Sequence, residues 1–348
     1  MIPTTRLLSQ QLVNPSFNNP KDLVSWMGAV QAQDYKMVKW ALGLRLGSAT
    51  IKDVEDSLHS GEIIRTHIMR PTWHLVPAED LRWMMLLTGK RIKAAHRSYG
   101  YHRFIDDELC NKGNDHIVKI LEGNNHLTKQ EIGEELIKAG IAADPAHIAH
   151  FIMSAEVDGL ICSGADKKNK VTYALLDERI PPTKELHKEE ALTKIALRYF
   201  KSHSPASLND FVWWSGLLIT EAREAIKLIE SELIKDKFSN DNLFVHQSYK
   251  ECKEHEDTLH FLPSYDEYII SYKDRTAVLP LEHQPKAFTN YGIFYPIIMH
   301  KGKIVGNWKK ATKKGGPIIE TTFFDKKIKI DKALIKKAEE KYRAFYIL

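Results

Sequence analysis

The strongest constraint on the fold is a pattern of punctuation that returns three times along 348 residues. Each time, capped helical stretches end at a glycine and give way to two short β-prone runs. The clearest round follows Lys112. Residues 116–122 read as a helix. Thr128 is placed to cap the next one, with Glu131 three residues on to close a capping box, and Gly140 ends it. Asp144-Pro145 opens a third helix, with Ile148, Phe151, Ile152 and Val157 on its buried side and Gly159 at its end. Residues 160–162 and 171–176 then read as strands around a tip that carries Lys167, Lys168 and Lys170. Three helices followed by a two-stranded wing is the order of a winged helix, a variant of helix-turn-helix.

The rounds on either side follow the same grammar. In the first, helices are expected over residues 6–13, from Pro20 through Val30, and from Thr50, a cap, to Gly61. Strands follow at 63–68 and 72–76, and then a long basic helix with Lys90, Arg91 and Arg97. The third round begins after Ile180-Pro181-Pro182-Thr183. It has helices over 192–199 and 204–216 and another capped by Thr220. The spacing of about 70 to 90 residues is too long for a solenoid. From Asn242 the chain turns to short strands, among them 244–245, 258–262, 291–299 and 303–305, and a helix starting at Asp331 closes it. The expected fold is therefore α+β: three tandem winged-helix modules (residues 1–105, 106–180 and 181–250), then a small antiparallel β unit with a closing helix (251–348).

Composition excludes several classes. No apolar run approaches the roughly 18 residues of a membrane span, and the N-terminus has no signal-peptide core. Cys110, Cys162 and Cys252 are odd in number and far apart, which fits neither a disulfide framework nor a zinc site. A reducing cytoplasm is the expected location. A net charge of +5 permits a polyanionic partner without demanding one. His147 and His150 lie one helical turn apart with no third ligand in view, so a wet helix face or a phosphate contact is preferred to metal.

One stretch resists the helical pattern. Residues 27–46 can bury Val30, Met37, Val38, Ala41, Leu42 and Leu44 on one side, yet Gln31-Ala32-Gln33 puts two long amides at i and i+2. Such residues do not share a helix face. Either this is a polar helix terminus, or both amides serve one site and the backbone there ends or bends. An amide offers an acceptor and two donors. It is no strong base, but it can orient water and aim dipoles at developing charge.

Several motifs together resemble the AlkZ-like winged-helix DNA glycosylases. Gln31-Ala32-Gln33 is similar to that family's glutamine–apolar–glutamine motif, whereas a sister branch has aspartate at the last position. Residues 70–76, RPTWHLV, resemble its Arg-x-Thr-x-His-Leu strand. Pro205 with residues 210–216, DFVWWSG, resembles a third-module signature. LPSYDEY at 262–268 with Lys273-Asp274-Arg275 resembles its C-terminal segment. Gly306-Asn307-Trp308-Lys309 resembles a Gly-x-Trp-Arg strand end, with lysine for the usual arginine. The resemblance covers nearly the whole chain, and the order of the motifs makes it specific.

The resemblance implies hydrolysis of the N-glycosidic bond of alkylated purines, including N7-alkylguanine and, in some members, interstrand crosslinks. Gln31 and Gln33 would be catalytic, with Asp34 and His74 as candidate supports. Expected DNA contacts are Arg70, Thr72, Lys90, Arg91, Arg97, Lys167, Lys168, Lys170, Lys309 and Lys310. No metal or cofactor is called for. The partner is double-stranded DNA containing alkylated bases, met by a monomer in the cytoplasm near the nucleoid. The competing reading is a non-catalytic winged-helix regulator, which would have no use for a polar pair in a cavity and would usually be a dimer on spaced half-sites. A nuclease would need a carboxylate cluster, and Asp266-Glu267 is the one tempting pair.

Overall fold

Helices in this chain start and stop where the side chains dictate. Pro20 sits at the first turn of the Pro20–Met27 helix, and the Asn19 side chain caps it by accepting from the Lys21 and Asp22 amides. Gly28 ends it at φ +78°, in a space where a Cβ would press on Trp214 and Arg198 at 3.2 and 3.3 Å. A computed structural model describes residues 2–98, 105–141, 144–168, 170–235, 242–249, 258–313 and 316–346, with the side chains of 96–98, 312, 313, 316 and 317 outside the described set.

The chain divides into two units. One comprises Met1–Glu55, Thr193–Trp214 and Leu218–Leu348; the other comprises Asp56–Leu192 and Ser215–Leu217.

The second unit contains the clearest of the rounds. Helices Asp107–Leu121, Lys129–Lys138 and Pro145–Val157 follow one another, and the sheet order places Thr172–Leu175 between Leu127–Thr128 and Ile161–Ser163. Thr128 and Glu131 make the expected capping box. Ile117, Leu121, Ile132, Leu136, Phe151 and Ile161 form its core at 0% exposure. Each such side chain contributes roughly 1.5–3 kcal/mol. Ile63–His67 and Trp73–Pro77 form an antiparallel hairpin in which Thr66 faces His74, and the Leu81–Ser98 helix follows.

The first unit is organised by a four-stranded antiparallel sheet in the order Gly316–Phe323, Lys303–Lys313, Ile297–His300, Leu259–Leu262. The helix Tyr35–Arg45 is attached to it through Trp40, whose indole N–H donates to the Phe261 carbonyl at 2.7 Å. The closing helix Lys332–Tyr346 lays Tyr342 and Phe345 against Trp40, with ring centroids 5.0 and 5.4 Å apart. Residues near the N-terminus thus share a core with the C-terminal sheet, although they lie more than 200 residues apart in sequence.

Several sequence expectations shift. The first helix is Ile2–Ser9, not 6–13, because Gln11 and Asn14 adopt left-handed φ of 58° and 51°. The Ile219–Leu228 helix begins before Thr220, since Glu221 takes the Leu218 amide at 3.1 Å. Phe244–His246 pairs with Leu233–Lys235 and not with the C-terminal sheet. Of the expected 291–299 strand only residues 297–299 are strand, as part of Ile297–His300. Before it, residues 288–295 fold into a loop closed by a bridge between Phe288 and Phe294.

Candidate active site

The two glutamines do not lie in a helix. Val30–Gln31 is a two-residue strand, the chain bends at Gln33 and Asp34, and the helix Tyr35–Arg45 begins. Gly28 forces the break upstream. The helical spacing that would put residues i and i+2 on different faces therefore does not apply to this pair. Gln31 is only 4% exposed, whereas Gln33 is exposed to solvent. Asp34 serves the helix that follows. Its Oδ1 accepts from the Lys36 and Met37 amides at 3.2 and 3.1 Å, and its Oδ2 accepts from the Ser264 hydroxyl at 2.9 Å.

Beneath this bend lies a buried polar network. The Gln31 backbone N–H donates to Glu267 Oε1 at 2.5 Å. The other oxygen of Glu267 accepts from the Ser271 hydroxyl and lies 3.5 Å from His203 Nε2. Burial works to raise the Glu267 carboxyl, but His203, Ser271 and the Gln31 amide outweigh it and hold it down at about 2. Burial in turn holds His203 below its ordinary value. Next door, Arg45 grips Asp266 with both nitrogens at 2.8 and 2.7 Å, and neither side chain is more than 1% exposed. Removing one partner of such a buried pair costs on the order of 3–5 kcal/mol. Gln10 completes the network: it accepts from Arg45 at 3.0 Å and donates to the Glu267 carbonyl and the Tyr272 hydroxyl. Residues 262–268 therefore hold the glutamine segment at two points, Glu267 on Gln31 and Ser264 on Asp34.

The remaining candidates are placed as follows. His74 is 0% exposed, and its Nδ1 lies 3.0 Å from the Thr72 carbonyl, so that nitrogen carries the proton. It is a buried strand histidine. Arg70 and Thr72 are half-buried on the turn before it, where the Thr72 amide donates to the Arg70 carbonyl at 2.6 Å. Lys90 is exposed on the Leu81–Ser98 helix. Arg91 is half-buried and donates to the carbonyls of Gly216 and Leu87 at 3.1 and 2.5 Å, a structural use of its charge. Arg97 lies on the same helix, and its side chain is outside the described residues.

At the wing tip, the Lys167 and Lys170 backbones bond each other in both directions at 2.9 and 3.0 Å. Lys168 and Lys170 are exposed there. Lys167 reaches back to Glu131 at 2.6 Å and, with Thr128, holds that carboxyl at about 2. On the long hairpin of the first unit, Lys309 faces Glu320 at 3.2 Å, and Lys310 is exposed. Among the described residues, no three His, Cys, Asp or Glu side chains gather as metal ligands, and no helix is long and apolar enough to cross a membrane.

The family model described as DNA glycosylase AlkZ-like matches residues 24–345. The chain belongs to the AlkZ-like DNA glycosylase family. The resemblance read from the motifs is borne out, and the activity is that of a DNA glycosylase, an enzyme of DNA repair. The Streptomyces sahachiroi DNA glycosylase AlkZ shares the fold, with a TM-score of 0.78 at 17% identity over 99% of this chain and 95% of that one. No curated protein sequence matches.

For an AlkZ-like chain, sequence reasoning found the glutamine bend but missed what supports it. It weighed Asp266 and Glu267 only as a carboxylate pair for a nuclease. The structure gives each another task, one binding Arg45 and the other the Gln31 amide. The available signal was two acids inside an apolar run, Leu262 to Ile270, where unpaired charge is not tolerated. Their partners lie 221 and 236 residues away, so no local spacing could have named them.

Proposed function

We propose that this glycosylase hydrolyses the N-glycosidic bond of cationic alkylpurines of the N7-alkylguanine type in duplex DNA, using water positioned by Gln31 and Gln33. The observation that carries the reading is the bend itself. Gln33 is open to solvent while Gln31, two residues before it, is tied by its backbone N–H to the buried Glu267 carboxyl. An N7-alkylpurine is already cationic and departs neutral, so it needs no acid. The requirements are an oriented water and an environment that tolerates an oxocarbenium-like sugar. Two amides meet the first need. The negative charge of Glu267 behind Gln31 favours the second, because charge buried in low dielectric acts strongly.

Asp34 is the less suitable base, since both its oxygens are already engaged by the helix amides and Ser264. Residues 1–105, 106–180 and 181–250 are read as winged-helix modules that grip the duplex, with Lys168, Lys170, Lys90, Lys309 and Lys310 on phosphates. The enzyme is read as a monomer working near the nucleoid. A glycosylase that also nicks the strand needs an amine nucleophile at the sugar, and the 31–34 segment supplies none, so the enzyme is monofunctional.

One set of duplexes tests this. Incubation with a single N7-methylguanine site should leave a heat- or alkali-labile abasic site, a uracil duplex should stay intact, and borohydride should trap no adduct. Efficient uracil release or a trapped protein–DNA adduct overturns the mechanism.

A further inference from the structure

Large apolar side chains are conspicuous on one loop of the first unit. Tyr291 is 93% exposed, Ile293 47% and Tyr295 40%. The loop that carries them is tightly held. The Thr289 amide donates to the Ile293 carbonyl at 2.9 Å, the Gly292 amide to the Thr289 carbonyl at 3.1 Å, and the Tyr295 amide to the Ala287 carbonyl at 2.9 Å. Gly292, at φ +79°, makes the reversal at the tip. Below, Phe288 and Phe294 stack with centroids 5.0 Å apart, and the buried Arg275 guanidinium lies 5.0 and 5.3 Å from the two rings. A rigid base thus presents a tyrosine almost entirely to water.

The loop is also tied to the catalytic bend. The Phe294 ring packs on Tyr265 at 5.9 Å, and the Phe294 amide hydrogen-bonds the Tyr265 side chain. Tyr265, at φ +57°, sits between Ser264, which holds Asp34, and Glu267, which holds Gln31. One seven-residue segment, 262–268, therefore fixes both the glutamines and the aromatic tip.

We propose that Tyr291, backed by Ile293, is a wedge that stacks into the duplex beside the damaged nucleotide and holds the strand open at the glutamine bend. The partner is DNA because the family acts on DNA, and residues 288–295, FTNYGIFY, carry no carboxylate to repel phosphate. Aromatic and apolar side chains inserted between base steps are a recurrent way of unstacking DNA. Loss of one base–aromatic stack is worth about tenfold or more in affinity. The location of the lesion rests on the glutamine reading, but the stacking does not.

The test uses the full chain and a duplex with a tetrahydrofuran abasic analogue next to 2-aminopurine, which needs no excision. Wild-type binding should raise the 2-aminopurine fluorescence, Tyr291→Ala should abolish the rise, and Tyr291→Phe should keep it. Single-turnover excision of N7-methylguanine should fall about tenfold or more in Tyr291→Ala alone. A rise that is absent from the wild type, or that persists in Tyr291→Ala, overturns the wedge. Loss of the rise in both variants moves the role to the hydroxyl and also overturns stacking. If instead Gln33→Ala excises at the wild-type rate while the fluorescence behaves as expected, the catalytic reading fails and the wedge stands.

Discussion

At the scale of single residues, the two glutamines are not equivalent. Gln33 is exposed, whereas Gln31 is 4% exposed beside a buried network. Gln33→Ala should keep the thermal midpoint and duplex affinity and lower single-turnover excision by about ten- to a thousandfold, the range for loss of one positioned dipole. Gln31→Ala should show a comparable loss together with reduced stability, because it opens a gap in a packed region. Asp34→Asn should stay close to the wild-type rate, since asparagine caps a helix about as well as aspartate. Wild-type excision by both glutamine variants, together with a slow Asp34→Asn, would transfer the role to Asp34.

At the scale of elements, the wing and the 262–268 segment show how one short stretch can carry two tasks. The wing tip contributes no core, yet Lys167 is committed to Glu131 and through it to the start of the Lys129–Lys138 helix. Lys168 and Lys170 are exposed. The double change Lys168→Ala with Lys170→Ala should therefore leave the fold intact, weaken duplex binding across sequences, and flatten the plot of log affinity against log salt by about one to two units of slope. An unchanged slope in a salt titration would remove the wing from the interface. Including Lys167 would mix this measurement with loss of the ion pair.

At the scale of the whole molecule, stability should depend on acid. Burial holds His203 below its ordinary 6.5, and burial with nearby Lys341 and Arg45 pushes His260 down to about 3. Both folded values lie below the unfolded one, so the unfolded chain binds more protons beneath pH 6.5. Their stabilisation is complete above pH 6.5 and is lost as the pH falls toward the folded values. Glu267, held near 2 against an ordinary 4.5, adds a second loss that begins below pH 4.5. The urea midpoint should therefore decline from pH 7 to pH 5 and more steeply beneath 4.5, and His260→Gln should flatten the upper part. A midpoint that holds steady or rises on acidification contradicts this account.

Local chemistry was legible from the chain alone. The Thr128–Glu131 capping box, the proline that opens Pro20–Met27, the Asp144 cap, the lysine-bearing tip at 167–170 and the Asp331 start of the last helix all depend on neighbours within four residues, and each is found where its side chains require it. The odd placement of Gln31 and Gln33 was legible too, because two amides at i and i+2 conflict with helical periodicity. What surrounds that segment with partners is tertiary. Glu267 on the Gln31 amide, Ser264 on Asp34, Arg45 on Asp266 and Trp40 on Phe261 all join residues 221 to 236 positions apart. A capping residue must meet its own helix whatever the rest of the chain does. A buried carboxylate can be ionised only where folding brings donors to it, and those donors are selected by packing of the finished molecule and not by spacing along the chain.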